Sequence, residues 1–103
     1  MPHFVDTNIA LYAFETSPKS ERALAALAGA TISVQVLNEF ANVCLRKFRY
    51  DHSTIDLLVS DIRSQVSSIE PVLEETHDLA REIVFRYRLG FYDSALLASA
   101  LLA

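Results

Sequence analysis

The sequence predicts an α/β fold in which a short parallel sheet is wrapped by helices. Short apolar segments rich in β-branched residues alternate with longer segments whose apolar residues recur every three or four positions. The first pattern is typical of buried strands and the second of amphipathic helices, and their alternation favours a parallel sheet. The chain has 103 residues, of which 51% are hydrophobic. We therefore expect one domain over residues 1–103.

Three segments are predicted to be strands. His3–Asp6 is short and apolar and ends in an acid, Thr31–Val34 is β-branched, and Ser68–Glu74 contains a third apolar run. Open parallel sheets carry their functional groups beyond the carboxyl ends of the strands. We therefore expect a functional site among the residues that follow these strands.

Helices are predicted between and after these strands. Ser17 is a plausible cap with Pro18 at the first helical position, Ser53 caps a later helix, and Gly29 and Gly90 end two others. Thr76 opens the helix that stops at Gly90. The predicted helices are a run after Asn8, Lys19–Ala28, a segment from Gln35 to the basic cluster Arg46–Tyr50, the segment after Ser53, Leu79–Arg88, and Ser94–Ala103.

Composition excludes several classes of protein. The net charge of −4 is unsuited to binding nucleic acid by bulk charge alone, but it suits a protein whose acids are gathered in a metal site. Cys44 is the only cysteine, so we expect no internal disulfide, no zinc cluster and a buried, unreactive thiol. No secretory signal and no apolar run of about 18 residues is present. A cytoplasmic protein that does not bind membranes is predicted.

Three acids stand out because each is embedded in apolar sequence. Asp6 follows Phe-Val, Glu39 lies between Leu-Asn and Phe, and Asp93 follows Phe-Tyr. Such acids are expected to be partly buried, and buried carboxylates are costly unless they are paired or bind metal. Hard oxygen ligands select Mg²⁺ or Mn²⁺, which favour hydrolysis of phosphodiesters. Spacing alone leaves other roles open: Asp6 and Asp93 could cap helices, and Glu39 could lie on a solvated helix face.

The same residues carry a resemblance to a known family. Phe4–Asn8, Ile32–Phe40 and Leu89–Ala98 resemble three successive motifs of PIN-domain proteins, and in particular of VapC-like toxins of bacterial toxin–antitoxin modules. The motifs keep the family's order and spacing over essentially the whole chain. The resemblance implies a three-layer α/β/α fold with a short parallel sheet.

The resemblance also implies roles for residues. Asp6, Glu39 and Asp93 would be the catalytic acids that hold one or two Mg²⁺ or Mn²⁺ ions for RNA cleavage. Thr7 and Asn8, and with weaker support Ser33, would hold these acids in place. The implied partners are an RNA substrate and a cognate antitoxin protein.

The chain departs from the family pattern at its end. The family usually continues past the helix of Asp93 into another strand and a fourth acidic motif, whereas this sequence stops at Ala103, after an uncapped apolar helix. We expect a PIN-like domain that lacks its last strand or strands, with weakened metal binding. The uncovered strand edge and apolar surface predict a homodimer or a larger oligomer.

Two further groups of side chains have more than one plausible role. Basic residues near helix ends are possible phosphate contacts, although helix ends commonly carry solvated cations. Aromatic residues at helical spacing are more typical of a core or an interface than of base stacking. The basic residues are Arg46, Lys47, Arg49, Arg81, Arg86 and Arg88, and the aromatic ones are Tyr12, Phe14, Phe48, Phe85 and Tyr87.

The main hypothesis is a metal-dependent endoribonuclease of toxin type. The alternative is a catalytically inactive PIN-like fragment that acts only as a protein-binding or assembly module. A receiver domain for phosphotransfer fits poorly, because Asp6 has no acidic neighbour and no lysine follows Phe48.

Overall fold

A computed structural model describes residues 3–102, and of Phe91 and Tyr92 it describes the backbone alone. Met1, Pro2 and Ala103, and with Ala103 the predicted end of the last helix, lie outside the described residues. Between residues 3 and 102 the chain forms six helices and two strands. In chain order they are α1 (Thr7–Ala13), α2 (Ser20–Leu27), β1 (Thr31–Ser33), α3 (Val34–Arg46), α4 (His52–Gln65), β2 (Ser68–Glu70), α5 (Glu74–Tyr87) and α6 (Phe91–Leu102).

The predicted parallel sheet is confirmed, but it is shorter than expected. β1 and β2 pair in parallel over their three residues each. The predicted first strand is only a single parallel bridge between Phe4 and Thr31. Two backbone bonds hold it, from the Val5 amide to the Thr31 carbonyl at 3.2 Å and from the Thr31 amide to the His3 carbonyl at 2.8 Å. β1 is therefore flanked on both sides, and all three of its residues are buried.

The second and third strands end before their predicted last residues, because a helix follows one and a proline follows the other. β1 ends at Ser33 rather than Val34, since the Ser33 hydroxyl accepts a hydrogen bond from the Val36 amide at 3.3 Å and caps α3. β2 ends at Glu70 because Pro71 follows, and a proline has no amide to donate to a ladder.

The predicted starts of α2 and α4 were wrong by one or two residues. α2 begins at Ser20, and the Ser17 hydroxyl instead accepts from the Lys19 amide in the turn before it. α4 is capped by Asp51 rather than Ser53; its carboxylate accepts from the Thr54 amide at 2.8 Å. Side-chain and backbone hydrogen bonds from Thr54 hold the pKa of the Asp51 carboxyl below its usual value. The charged acceptor two residues earlier is thus the one that starts the helix.

The last two helices also differ from the prediction. α5 begins at Glu74, before Thr76, whose hydroxyl accepts from the Leu73 amide at 3.2 Å. It ends at Tyr87, where Arg88 adopts a left-handed conformation, rather than at Gly90. α6 begins at Phe91, so Asp93 lies in its first turn rather than before the helix.

The core joins β1 to the helices around it. Ile32 of β1, Phe40 and Cys44 of α3, Ile62 of α4 and Leu27 of α2 are all buried. Burial raises the pKa of the Cys44 thiol, which is consistent with an unreactive structural cysteine. None of the helices in the described part of the chain is long and apolar enough to cross a membrane.

A second, smaller cluster packs α5 on α6. It consists of Ala80 and Ile83 from α5 with Ala95 and Ala98 from α6. Leu96, one turn further along α6 than Asp93, packs against the main core instead. This contact holds the start of α6 against the rest of the domain and thereby sets the place of Asp93.

Gly29 adopts a left-handed backbone conformation that is unfavourable for residues with a Cβ. Its φ is +73°, it follows α2, and its amide donates to the Gln65 carbonyl at 2.8 Å. A Cβ added there would meet nothing within 4 Å, so the cost of Gly29→Ala comes from the backbone alone. We expect the free energy of unfolding in urea to fall by about 1–2 kcal/mol.

Gly90→Ala is the matched control for this prediction. Its added Cβ would lie 3.9 Å from the Asp93 Oδ2 atom, an ordinary contact, and Gly90 has no left-handed φ. Its unfolding free energy should not fall. Equal losses in the two variants would show that the conformation of Gly29 is not what matters.

Candidate active site

A pocket of about 120 Å³ opens at the edge of the sheet where the strands end. It brings together the three acids and the three supporting residues predicted from the sequence. Two residues of α3 and one of α6 complete it. The lining residues are Asp6, Thr7, Asn8, Ser33, Gln35, Val36, Glu39, Asp93 and Leu96.

Asp6 has a structural task in addition to its place in the pocket. It directly follows the bridge to β1 and is the cap of α1, with its Oδ1 atom accepting from the Ile9 amide at 3.3 Å. The capping role considered for Asp6 is therefore real, and it orients the carboxylate. The side chain is exposed at the pocket.

Glu39 is held by two hydrogen bonds, one to each carboxylate oxygen. Oε2 accepts from the Thr7 hydroxyl at 2.8 Å, and Oε1 accepts from the Gln35 side-chain amide at 2.9 Å. The side chain is half-buried, so the solvated helix face considered for Glu39 is wrong. Thr7 is itself buried at the start of α1, and its bond to Glu39 joins α1 to α3 across the pocket.

Gln35 was not singled out in the sequence. It lies four residues before Glu39 on α3, a spacing at which helical side chains face each other. That spacing is the only signal that could have identified it, and it is weak because many helical pairs share it.

Asp93 reaches the pocket from the first turn of α6 and is exposed. It is not the cap considered for it, because the helix begins two residues earlier. A carboxylate in a first helical turn is stabilised by the helix dipole. The start of α6 therefore stabilises the charge of Asp93, in addition to placing it in the pocket.

The expected burial of the acids is only partly found. Glu39 is half-buried, whereas Asp6 and Asp93 are exposed because the pocket opens at the sheet edge. Within residues 3–102, moreover, no three His, Cys, Asp or Glu side chains lie close enough to hold one metal ion together. The carboxylates share a pocket but do not form a closed cage.

The donor set nevertheless suits a hard cation. The pocket is lined by carboxylate, hydroxyl and amide oxygens, and its lining includes no lysine or arginine. Oxygen-rich sites of this kind select Mg²⁺, Mn²⁺ or Ca²⁺ over softer metals. A phosphate group would be repelled by three carboxylates unless a cation lay between them.

The remaining supporting residues differ in what they touch. Ser33 is buried and its hydroxyl caps α3, so it fixes the helix that carries Glu39. Asn8 lines the pocket with an exposed side chain. The hydroxyl of Ser94, next to Asp93, is fully buried and has no hydrogen-bond partner in the described part of the chain.

The basic residues predicted as phosphate contacts lie outside this pocket and fall into two groups. On α5, Arg81 pairs with Asp78 at 3.3 Å and Arg86 pairs with Glu82 at 3.0 Å. The others are exposed and form no ion pair within residues 3–102: Arg46, Lys47, Arg49 and Arg88.

A comparison with known families identifies the family to which this fold belongs. The family model described as "PIN domain" matches residues 3–103, so the chain belongs to the PIN-domain family. The family and fold suggested by the three sequence motifs are confirmed. A comparison with curated proteins gives no match.

Two solved structures are similar to this chain over nearly all of its length. A chain of a toxin–antitoxin complex from Klebsiella pneumoniae is 24% identical with a TM-score of 0.70; the match covers 99% of this chain and 79% of that one. The toxin VapC20 from Mycobacterium tuberculosis, described as cleaving the sarcin–ricin loop, is 21% identical with a TM-score of 0.72. That match covers 92% of this chain and 78% of VapC20. These likenesses establish a VapC-like fold.

The two buried serines at the site should respond oppositely to alanine. Ser33→Ala removes the cap of α3 and should lower the free energy of unfolding by about 1 kcal/mol. Ser94→Ala removes a buried hydroxyl without a partner and should raise it by about 1 kcal/mol. Urea unfolding of both variants tests this, and a loss of stability in Ser94→Ala would mean that its hydroxyl has a partner.

Proposed function

We propose that this chain is a metal-dependent endoribonuclease, the toxin component of a cytoplasmic toxin–antitoxin module that is neutralised by a cognate antitoxin. The observation that carries the proposal is the meeting of Asp6, Glu39 and Asp93 in one pocket of a PIN-domain chain. The similarity of its fold to VapC20, and to a chain of a toxin–antitoxin complex, supports the toxin assignment.

The three acids would hold Mg²⁺ or Mn²⁺. Such a cation, when held by these acids, would supply an activated water and charge neutralisation at the phosphate. Asp6 offers a carboxylate fixed by its capping bond, and Glu39 offers one fixed by Thr7 and Gln35. Ligands held in this way lose little freedom on binding a cation, which strengthens the binding. Thr7, Gln35, Asn8 and Ser33 are thus supporting residues in the proposal.

The alternative, an inactive module for protein binding or assembly, has an observation in its favour. The described acids do not form a three-ligand cage, and the last two helices expose large apolar side chains that suit a homodimer or a larger oligomer. These side chains include Phe85, Tyr87 and Leu101. Cleavage measurements separate the two functions, because the module predicts none.

The first test is cleavage of total RNA by the purified chain in Mn²⁺. We expect cleavage that is abolished by a chelator and by Asp6→Asn. Asparagine caps helices as well as aspartate does, so this variant removes the charge and keeps the fold.

Asp61→Asn, at an exposed acid of α4 outside the pocket, is the control and should cleave normally. A folded wild-type chain that leaves RNA intact in Mn²⁺ would favour the assembly module. Cleavage that survives Asp6→Asn would remove this pocket from the chemistry.

The second test asks whether Gln35 and Thr7 position Glu39. Gln35→Met and Thr7→Val keep the shape of each side chain and delete its hydrogen bond to Glu39. We expect each to weaken Mn²⁺ binding roughly 10- to 100-fold, as is typical when a partner behind a metal ligand is lost. The loss of the paramagnetic resonance signal of free Mn²⁺ during titration measures the affinity.

Gln65→Met, at the exposed end of α4, is the matched control and should bind Mn²⁺ like the wild type. In a Glu39→Met background, which has no side-chain oxygen to accept from Gln35, Gln35→Met should have no further effect, because the two residues act through one bond. Additive losses would show that Gln35 acts independently of Glu39.

A further inference from the structure

A second cavity lies at the far ends of the two helices that form the carboxylate pocket. Its volume is about 170 Å³, and its walls are mostly aromatic or aliphatic. Phe14 and Phe40 meet there edge to face at 6.2 Å. Phe48 and Tyr50 stack on each other at 5.6 Å, with 41% and 40% of their surfaces exposed. Two aromatic rings that line a cavity and remain exposed are available to a ligand.

The size and chemistry of this cavity suit a flat aromatic group. An apolar cavity of about 150 Å³ accommodates benzene, so this one has room for a ring of similar or slightly larger size. Glu15 and Thr16 add polar side chains to the lining, to which the edge of such a ring could hydrogen-bond. A nucleobase is a ligand with both properties, since every base has a π-face and a polar edge.

Three cations without carboxylate partners lie close in sequence to Phe48, which lines this cavity. Arg46, Lys47 and Arg49 flank Phe48, all three are exposed, and none forms an ion pair within residues 3–102. The Lys47 ammonium lies 5.9 Å from the centre of the Phe48 ring. Arg49 has a φ of +56°, a conformation that costs energy in a residue with a Cβ. Unpaired cations next to exposed rings are typical of surfaces that bind single-stranded nucleic acid.

The two cavities are connected through the same pair of helices. Thr7 of α1 and Glu39 of α3 line the carboxylate pocket, whereas Phe14, at the end of α1, and Phe40 line the aromatic cavity. Seven residues of helix separate Thr7 from Phe14, which corresponds to about 10 Å. An RNA strand could therefore occupy both at once.

We propose that this aromatic cavity binds an unpaired base of the RNA, and that Arg46, Lys47 and Arg49 hold the phosphates next to it. The proposal rests on the proposed function only in taking RNA as the ligand. In this proposal the RNA is recognised through one of its bases at a place separate from the carboxylates. On α5, Arg86 is paired with Glu82 and so is a poorer phosphate ligand than these three.

The test uses a single-stranded RNA of about ten nucleotides that contains 2-aminopurine, whose fluorescence falls when it stacks on an aromatic ring. Binding is measured by anisotropy in a chelator, so that no cleavage occurs. Phe48→Leu should weaken binding roughly 5- to 100-fold and abolish the quenching while leaving the salt dependence unchanged. Arg46→Gln should keep the quenching and reduce the slope of log affinity against log salt by about 0.7.

Phe85→Leu and Arg86→Gln are the matched controls, because Phe85 is 89% exposed on α5 and Arg86 is ion-paired there. Both should bind RNA like the wild type. Tyr50→Leu repeats the aromatic test if Phe48→Leu fails to fold. Unchanged quenching in the aromatic variant, or an equal loss of binding in Phe85→Leu, would overturn the proposal. If the cavity binds a protein segment instead of a base, the quenching should be unchanged in the aromatic variant.

The cleavage assay separates this inference from the proposed function. A wild-type chain that cleaves RNA but shows no effect of Phe48→Leu on binding would keep the function and overturn the base site. A chain that does not cleave, yet shows binding and quenching that depend on Phe48, would keep the base site and overturn the nuclease.

Discussion

The fold depends on β1 being paired on both sides although it is only three residues long. Thr31 bridges to Phe4 on one side and pairs with Ser68 on the other, where their hydroxyls also lie 2.9 Å apart. Because both pairings are parallel, the chain leaves Phe4 and β1 at the same edge of the sheet. Asp6 and the start of α3 follow within a few residues. So small a sheet contributes little burial, and the helices that cover it supply most of the core.

The hydrogen bonds of Glu39 tie the chemistry of the site to this framework. Thr7 belongs to α1, whereas Gln35 and Glu39 both belong to α3. The bond from Thr7 to Glu39 therefore depends on the relative position of the two helices. A shift of either helix would break the bond from Thr7 and leave the half-buried charge of Glu39 with one hydrogen bond fewer. The packing of Phe14 on Phe40, further along the same pair of helices, resists that shift. These contacts therefore hold the α1–α3 side of the carboxylate pocket in place.

Local patterns in the sequence predicted the element order and the parallel sheet, because apolar periodicity depends on neighbouring residues. They singled out the three acids of the pocket but left capping or solvated roles open for each, and the resemblance to a family was needed to assign them to one site. What they could not predict depends on competition or on distant contacts. Asp51 and Ser53 are both good caps, and only the structure shows that the charged one starts α4. The bond from Thr7 to Glu39 joins residues 32 positions apart. The exposure of Asp6 follows from where the pocket opens, which no local pattern records.

The double task of Asp6 bears on how relatives of this protein should be interpreted. Its carboxylate starts α1 whether or not the site is active, so a lineage that lost the chemistry would still be under pressure to keep a capping residue there. Aspartate at this position is therefore weak evidence of a working enzyme, and a change to asparagine or serine would be tolerated by the fold. Glu39 starts no helix, and replacing it costs the fold only its bonds to Thr7 and Gln35. Substitution of the glutamate, more than of the aspartate, would therefore mark relatives in which the proposed nuclease chemistry has been lost.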